Sequence, residues 1–357
     1  MTDSARLKKL ARQYMQAHPG VRYQQALAAV QATLSSTAGA PTEREWLRLV
    51  GGVPSAEALA TRWSNTLASH HLRWPIGVQL IPGDEPEAVW VDLVQRALGG
   101  DGVHLGLVGW GPDTGAVLQT MVTSLAAWHG PERLQFALAD STDGGTLAAV
   151  TKFPHLAFTA QNVRQDRPNA AALVDFLQQE MSRRHHLLGL THCMDVYDYR
   201  SQAAEDGAAP LPDLLIILTD VDRLMDEHPA VAEVIEAVGR TGRALGMRLV
   251  VTVDSAPAQP DSRGLSRIVG QIDPWLLGPT GSGWPLSPGA LSSLDMLGPG
   301  AGCLATAHGG DDDGQGLTPV RVFPKMKSEE TRGLWRRIES MSAAAPPSPA
   351  APGQERV

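Results

Sequence analysis

Lysine and cysteine are scarce in this chain of 357 residues, and each scarcity excludes a class of site. The two cysteines, Cys193 and Cys303, are too few for a disulfide framework and show no CxxC spacing, which indicates a reducing compartment. No lysine occurs between Lys9 and Lys152. A phosphate-binding loop within that stretch would therefore lack the lysine that reaches the β- and γ-phosphates.

Long apolar runs and an excess of basic charge are missing as well. No stretch approaches the roughly 18 apolar residues that a membrane span requires, and no apolar signal region follows Lys8 and Lys9. We therefore expect no direct insertion into a membrane. The formal net charge is -8. Because sequence-independent binding of nucleic acid needs a basic face, this composition argues against DNA as a partner.

The chain does contain enough apolar sequence for a sizeable core, with 43% hydrophobic residues. Short apolar runs alternate with helical periods, which predicts an α/β fold with a mostly parallel sheet flanked by helices. The continuous apolar run at 214–218 is typical of a central strand buried on both faces. We predict strands at 104–108, 134–139, 214–218 and 247–253, and helices at 117–128, 170–190 and 229–245.

Changes in composition and the positions of Gly and Pro divide the chain into five parts. We predict a small N-terminal helical hairpin over 1–34, a linker with a lead-in helix over 35–71, the main domain over 72–327, a C-terminal helix over 328–341 and a disordered tail over 342–357. The tail is predicted to be disordered because it is rich in Ala, Pro and Ser.

The segment from Gly109 to Ala116 lies between a predicted strand and a predicted helix, where a phosphate-binding loop would lie. In the pattern GxxxxGK[ST], glycines let backbone N–H groups surround phosphate, while a lysine and a hydroxyl add charge and a Mg²⁺ ligand. With Gly109 as the first glycine, Gly115 and Ala116 occupy the lysine and hydroxyl positions; in a register one residue shorter, Thr114 and Gly115 do. The candidate nucleotide-binding residues of this degenerate loop are Gly109, Gly111, Asp113, Thr114, Gly115 and Ala116.

Six blocks in fixed order carry a family resemblance. They are WLRLVGG with LRWPIGV from Trp46 and Leu72, LGLVGWG from Leu105, QFALAD from Gln135, EMSRR from Glu180, LPDLLIILTD from Leu211 and GRTGRALG from Gly239. Together they resemble the FtsK/SpoIIIE-like P-loop ATPases, specifically the EccC branch of type VII (ESX) secretion systems. This resemblance implies a RecA/FtsK-like P-loop NTPase fold, with the block at Leu105 as Walker A and the block at Leu211 as Walker B.

The Walker B block departs from the family in its chemistry. The family ends this strand in Asp-Glu, which organises Mg²⁺ and polarises the attacking water, whereas the matching residues here are Thr219 and Asp220. Asp254-Ser255 replaces the polar Gln-Arg pair of the next strand. Since a positioned general base alone supplies about 10²–10⁴-fold in rate, the resemblance implies a pseudo-ATPase without catalytic residues. No cofactor is expected, although ATP with Mg²⁺ at low affinity stays open.

The resemblance leaves three functions open. The leading one is a pseudo-ATPase that serves assembly, regulation or substrate recognition in a type VII-like secretion machine. The alternatives are a slow or partner-completed ATPase motor subunit for protein or DNA translocation, and a regulatory subunit that binds nucleotide without hydrolysis. The implied partners are ATPase or membrane subunits of the secretion system, a helical secreted substrate, or further copies of the chain. The implied location is the cytoplasm, with recruitment to the inner face of the plasma membrane left open.

Further residue patterns have two interpretations each. Arg240 and Arg243 are either trans-acting arginines for a neighbouring subunit or residues that pin helix to sheet. The loop tryptophans Trp110, Trp275 and Trp284 are either partner anchors or packing against the sheet rim. No metal is expected at the histidines near 185–192, because adjacent helix positions point about 100° apart.

Overall fold

The structure is a computed structural model that describes residues 8, 11–12, 14–15, 19–35, 40–79, 87–141, 145, 147–209, 211–253, 263–279, 300–306 and 316–341. Most of the first helix of the predicted hairpin, Asp254-Ser255, Trp284 and the predicted tail therefore lie outside the described residues. Within the described part of the chain, no helix is long and apolar enough to cross a bilayer.

Nine helices of seven or more residues are found in the described residues. They are α1 (Tyr23–Ser35), α2 (Glu43–Leu49), α3 (Ala56–Thr66), α4 (Thr114–Trp128), α5 (Arg167–Thr191), α6 (Val196–Asp206), α7 (Val221–Glu227), α8 (Pro229–Leu245) and α9 (Glu329–Ser340). Local chemistry sets several of their ends. Thr42 and Glu45 form a capping box at the start of α2, and Gly246 ends α8 in the left-handed conformation.

Ten strands form one sheet. They are β1 (Arg73–Gln79), β2 (Ala88–Asp92), β3 (Leu105–Val108), β4 (Leu134–Ala139), β5 (Leu156–Ala160), β6 (Asp213–Leu218), β7 (Met247–Val253), β8 (Trp275–Leu277), β9 (Ala301–Thr306) and β10 (Gly316–Val322). Their order across the sheet is β2-β1-β10-β9-β8-β3-β7-β6-β4-β5.

The sheet has a parallel half and an antiparallel half. Neighbours from β8 through β3, β7, β6 and β4 to β5 are parallel, whereas β9, β10, β1 and β2 extend the sheet in antiparallel pairs. Every residue of β6 and β7 is buried, as expected for central strands covered on both faces. The predicted fold class is confirmed, and the four antiparallel strands were not predicted.

The helices lie on both faces of this sheet. The core on one face includes Leu173, Leu214 and Val238, from α5, β6 and α8. The core on the other face includes Leu118 of α4 and Leu334 of α9. The lead-in and C-terminal helices therefore share a core with the central helix α4.

Candidate functional site

The predicted loop and the Walker B-like residues meet at the carboxyl edge of the parallel strands. Strand β7 lies between β3, which precedes the predicted loop, and β6, which precedes Thr219 and Asp220, and it contacts both segments. The N–H of Gly109 donates to Val253 O over 3.2 Å, and the N–H of Asp220 donates to Thr252 Oγ1 over 3.2 Å. The structure thus brings together two segments that are about 110 residues apart in sequence, as the parallel-sheet prediction requires.

The loop after β3 has fewer residues than predicted, because it consists of a tight turn that leads directly into α4. Gly109 and Gly111 have φ of 70° and 49°, values that glycine adopts without steric cost. A 3₁₀ turn covers Gly111–Asp113, and α4 begins directly at Thr114. The predicted helix start at 117 is wrong by three residues. Thr114, Gly115 and Ala116 therefore belong to the first turn of the helix rather than to a loop.

Two backbone donors of this turn are used within it. The N–H of Asp113 donates to Trp110 O over 3.0 Å, and the N–H of Thr114 donates to Gly111 O. Pro112 has no N–H to offer. The Asp113 carboxylate lies at the N-terminus of α4 and makes no capping hydrogen bond to any described residue. A phosphate at this helix end would therefore find the N–H groups of Asp113 and Thr114 already used and would meet one negative charge.

Trp110 fixes the turn to the sheet. Its side chain is 2% exposed, and its indole Nε1 donates to Leu276 O over 3.0 Å. The ring lies against Gly302 of β9, where a Cβ atom would approach it to 2.7 Å. Trp275 is also buried, at 5% exposure. The interpretation of Trp110 and Trp275 as exposed partner anchors is therefore wrong, because both rings pack within the fold.

Thr219 occupies the Walker B metal position and is fully engaged. Its hydroxyl donates to Asp140 Oδ1 over 3.0 Å and accepts the N–H of Ser141 over 2.7 Å. The Ser141 hydroxyl in turn bonds to Thr219 O. Thr219 thus joins the end of β6 to the end of β4. A neutral hydroxyl in this network cannot replace the carboxylate that organises a Mg²⁺ shell.

Asp220 is held in an unusual backbone conformation. It has φ 48° and ψ 46°, in the left-handed region that aspartate tolerates better than most residues, and it is 9% exposed. The turn that it makes starts α7. With Thr219 beside it, the pair provides one carboxylate where the family uses two, so the residues present do not fit a Mg-ATP site.

Arg240 and Arg243 lie far from this edge. Both are exposed in the last two turns of α8, which leads through Gly246 into the amino end of β7. Arg240 Nη1 pairs with Glu236 Oε1 over 3.0 Å on the same helix. The structure therefore does not bring these arginines to the loop of their own chain.

Three tryptophans hold α4 in place, and sequence reasoning missed this arrangement. Trp46 of α2, Trp63 of α3 and Trp335 of α9 each donate an indole N–H to an oxygen of α4, over 2.9, 3.0 and 3.1 Å. The helix is buried from Ala116 to Ala127. Helix α3 was not predicted because only one of its residues, Leu59, is buried, which leaves a weak apolar pattern.

The histidine-rich end of α5 shows no metal geometry. His185 and His186 are both exposed, and no trio of His, Cys, Asp or Glu close enough to hold an ion occurs within the residues that the structure describes.

Comparison with known proteins gives a consistent family signal. The model of the FtsK/SpoIIIE family matches residues 79–270, more than half of the chain. Among curated proteins, the ESX-4 secretion system protein EccC4 of Mycobacterium tuberculosis is 34% identical over 210 residues, covering 58% of this chain and 17% of EccC4. An ESX secretion system protein EccC of Thermomonospora curvata is 31% identical over 198 residues, covering 54% of this chain and 14% of that EccC. The chain therefore spans less than a fifth of the length of these relatives.

Solved structures share the fold. The cytoplasmic domain of the Thermomonospora curvata type VII secretion ATPase EccC superposes with a TM-score of 0.70 at 24% identity, over 82% of this chain and 34% of that one. ATPases 2 and 3 of Thermomonospora curvata EccC, in complex with a signal sequence peptide, give a TM-score of 0.57 at 23% identity, over 80% of this chain and 49% of that one.

Proposed function

The chain belongs to the FtsK/SpoIIIE family, and from that premise we propose that it is an EccC-like module that acts by binding partners rather than by hydrolysing ATP. Its role in this proposal is assembly, regulation or substrate recognition in a type VII-like secretion machine. The proposal separates two properties of the family, a rigid P-loop scaffold and an ATPase centre, and assigns only the first to this chain.

The observation that carries the proposal is the closed turn at Gly109. Asp113 and Thr114 donate their N–H groups to Trp110 O and Gly111 O, and Pro112 has none. These two N–H groups are among those that an open loop would turn toward phosphate. The lysine is also missing from the sequence, so the turn offers a triphosphate less positive charge than a complete P-loop does, which supports the proposal.

The Walker B-like end supports the same conclusion independently. Thr219 is bonded to Asp140 and Ser141 and has no charge to place against a metal. A change that restored phosphate binding at the loop would therefore still leave hydrolysis without the Asp-Glu pair. We infer that ATP turnover by the isolated chain is near the uncatalysed background.

The proposed partners follow from the relatives rather than from the site. One neighbour is a pair of EccC ATPase modules in complex with a signal sequence peptide. We therefore propose secretion-system ATPase or membrane subunits, further copies of this chain, or a helical secreted substrate as partners, on the cytoplasmic side of the membrane. The overall charge of -8 argues against DNA.

Isothermal titration of the purified chain with ATP, with and without Mg²⁺, tests the proposal. Wild type is compared with Thr114→Lys, which puts a lysine at the start of α4, and with Gln179→Lys, which adds the same charge on the exposed surface of α5. We expect no saturable heat up to about 1 mM ATP for wild type and Gln179→Lys, because charge without loop donors gives only weak attraction.

Two results would contradict parts of this reasoning. Micromolar, Mg²⁺-dependent binding by wild type would refute the pseudo-ATPase assignment, and a hydrolysis assay with candidate partner ATPases would follow. Micromolar binding by Thr114→Lys alone would show that the loop backbone is competent and that only the lysine is missing.

A further inference from the structure

A cluster of buried arginines lies at the amino ends of β4, β6 and β7. These strands are six or seven residues long, which puts the cluster roughly 20 Å across the sheet from the Gly109 turn. We call it the arginine hub; it consists of Arg133, Arg184, Arg200 and Arg248 around Asp213. No residue of the hub belongs to the loop or to the Walker B-like pair.

The charges of the hub do not balance. The side chains of Arg133, Arg184 and Arg248 are at most 1% exposed, and that of Arg200 is 8% exposed. Against these four cations the ion pairs of the described residues provide two carboxylates, Asp213 and the Glu180 that pairs with Arg184. Two positive charges are thus left without a counter-ion in a buried environment, where an uncompensated charge costs several kcal/mol.

Asp213 is already saturated. Its Oδ1 lies 3.1 Å from Arg248 Nη2, and its Oδ2 accepts from Arg133 Nη1 and lies 3.2 Å from Arg200 Nη1. Burial alone would raise the pKa of Asp213, but Arg200, Arg248 and Arg133 outweigh burial and hold that pKa well below its usual value. The carboxylate is therefore charged at all physiological pH values and has no capacity for further cations.

Buried side-chain nitrogens without a hydrogen-bond partner among the described residues remain beside it. Within the described part of the chain, Nη2 of Arg200 has no partner, whereas its Nη1 pairs with Asp213 Oδ2 over 3.2 Å and its Nε donates to Leu211 O. The buried Nδ1 of His70 also lacks a partner among described residues. His70 lies beside the hub, because its carbonyl accepts from Arg133 Nη2 over 3.2 Å and its ring packs edge-on against Tyr197 at 5.2 Å.

We propose that the arginine hub binds one phosphate-sized oxyanion between Nη2 of Arg200 and Nδ1 of His70. An oxyanion supplies both missing features, negative charge and several acceptors, and arginine binds phosphate oxygens with two parallel N–H groups. His70 is the half-buried member of the set and lies in the segment between α3 and β1.

Thermal unfolding of the full chain in inorganic phosphate, against sodium chloride of equal ionic strength at pH 7.5, tests the site. A ligand that binds the folded state stabilises it in proportion to ln(1 + [L]/Kd). We expect Tm to rise saturably, by about 2 °C at a phosphate concentration tenfold above Kd. A second titration with Mg²⁺-free ATP distinguishes a free oxyanion from the phosphate of a larger molecule. Because the Arg200 and His70 nitrogens are buried, we expect no Tm shift with ATP.

Three variants locate the effect. His70→Ala removes an imidazole at the edge of the hub, Arg200→Met removes the guanidinium whose Nη2 has no partner among the described residues, and Arg223→Met removes an exposed arginine of α7 as the matched control. We expect the phosphate shift to be lost in His70→Ala and Arg200→Met and kept in Arg223→Met. His70→Ala keeps the test valid if Arg200→Met fails to fold.

Either of two results overturns the proposal. Equal Tm in phosphate and chloride would mean that enclosed water, rather than an anion, satisfies these donors. A phosphate shift that persists in His70→Ala would place the anion elsewhere. Both outcomes are independent of whether the Gly109 turn binds ATP, so this proposal and the proposed function can fail separately.

Discussion

His155 makes the stability of this protein sensitive to mild acid. It is fully buried, and its ring lies 5.2 Å from Trp63, 5.5 Å from Phe136 and 6.4 Å from Phe153. Its Nε2–H donates to His129 O over 2.6 Å. Burial lowers the pKa of His155 to about 4, and the hydrogen bond to His129 only partly opposes this shift.

The sign of the effect follows from proton linkage. Above the unfolded pKa of about 6.5 both states hold a neutral imidazole, so stability does not depend on this group. Below that pH the His155 imidazole is protonated in the unfolded chain but stays neutral in the folded state. The free energy of unfolding therefore falls by about 1.4 kcal/mol per pH unit until about pH 4. At pH 5 the loss is about 2 kcal/mol.

Two further histidines act in the same direction. Burial lowers the pKa of His104 to about 4 and that of His129 to about 3. Together the three groups remove about 6 kcal/mol between pH 7.5 and pH 5 if they titrate independently. This amount is comparable to the whole stability of many domains, so we expect unfolding near pH 5.

Urea unfolding at pH 7.5, 6 and 5 measures this dependence. His155→Gln replaces the imidazole by a neutral side chain that can still donate a hydrogen bond. We expect it to lower stability at pH 7.5 through lost packing, and to reduce the fall between pH 7.5 and pH 5 by about 2 kcal/mol. His185→Gln, on the exposed surface of α5, is the matched control.

The reasoning is refuted if His155→Gln and wild type lose the same free energy between pH 7.5 and pH 5. That outcome would mean that His155 is protonated without penalty in the folded state, and hence that its aromatic surroundings admit water.

Asp213→Asn removes the central carboxylate of the arginine hub, and we expect urea unfolding at pH 7.5 to show a loss of about 3–5 kcal/mol. Gly302→Ala places a Cβ atom against the backbone oxygen of Leu277 and 2.7 Å from the Trp110 ring and should cost about 3 kcal/mol, whereas Gly189→Ala, in the helix with open space around it, should stabilise by about 0.5–1 kcal/mol. Equal effects of the two glycine changes would contradict the packing argument. Trp335→Phe keeps the apolar contact with α4 but loses an indole hydrogen bond of 3.1 Å, so Tm should fall by an amount that corresponds to about 1 kcal/mol.

Much of the parallel half of the fold was predictable because its signals are local. The predicted helix at 229–245 and strands at 134–139 and 247–253 match α8, β4 and β7 residue for residue. Long apolar periods and a helix-ending glycine such as Gly246 set these bounds. The family and the fold class, predicted from six short blocks, are both confirmed.

The antiparallel half was not predictable in the same way. Strands β1 and β10 contain Pro75 and Pro319, which weaken a strand signal in sequence. Their pairing joins residues more than 240 positions apart, such as Gly77 with Val322. Nothing local in either strand specifies such a partner. The five-part division of the chain stays a prediction.

The sequence alone determined which chemical groups are available at the candidate site. It lacks a lysine near the loop, and it has Thr219 and Asp220 where the family has two carboxylates. These are facts of composition at aligned positions, and no conformation can change them. The assignment of Gly109, Gly111 and their neighbours as nucleotide-binding residues remains a prediction.

The tertiary structure decided how those groups are used. Whether the N–H groups of Asp113 and Thr114 face outward depends on backbone angles that Trp110 fixes by bonding to β8, a strand more than 160 residues away in the chain. The arginine hub likewise exists only because four distant segments meet around Asp213. Hydrogen bonds and ion pairs between segments far apart in sequence depend on three-dimensional distance, which residue order does not contain.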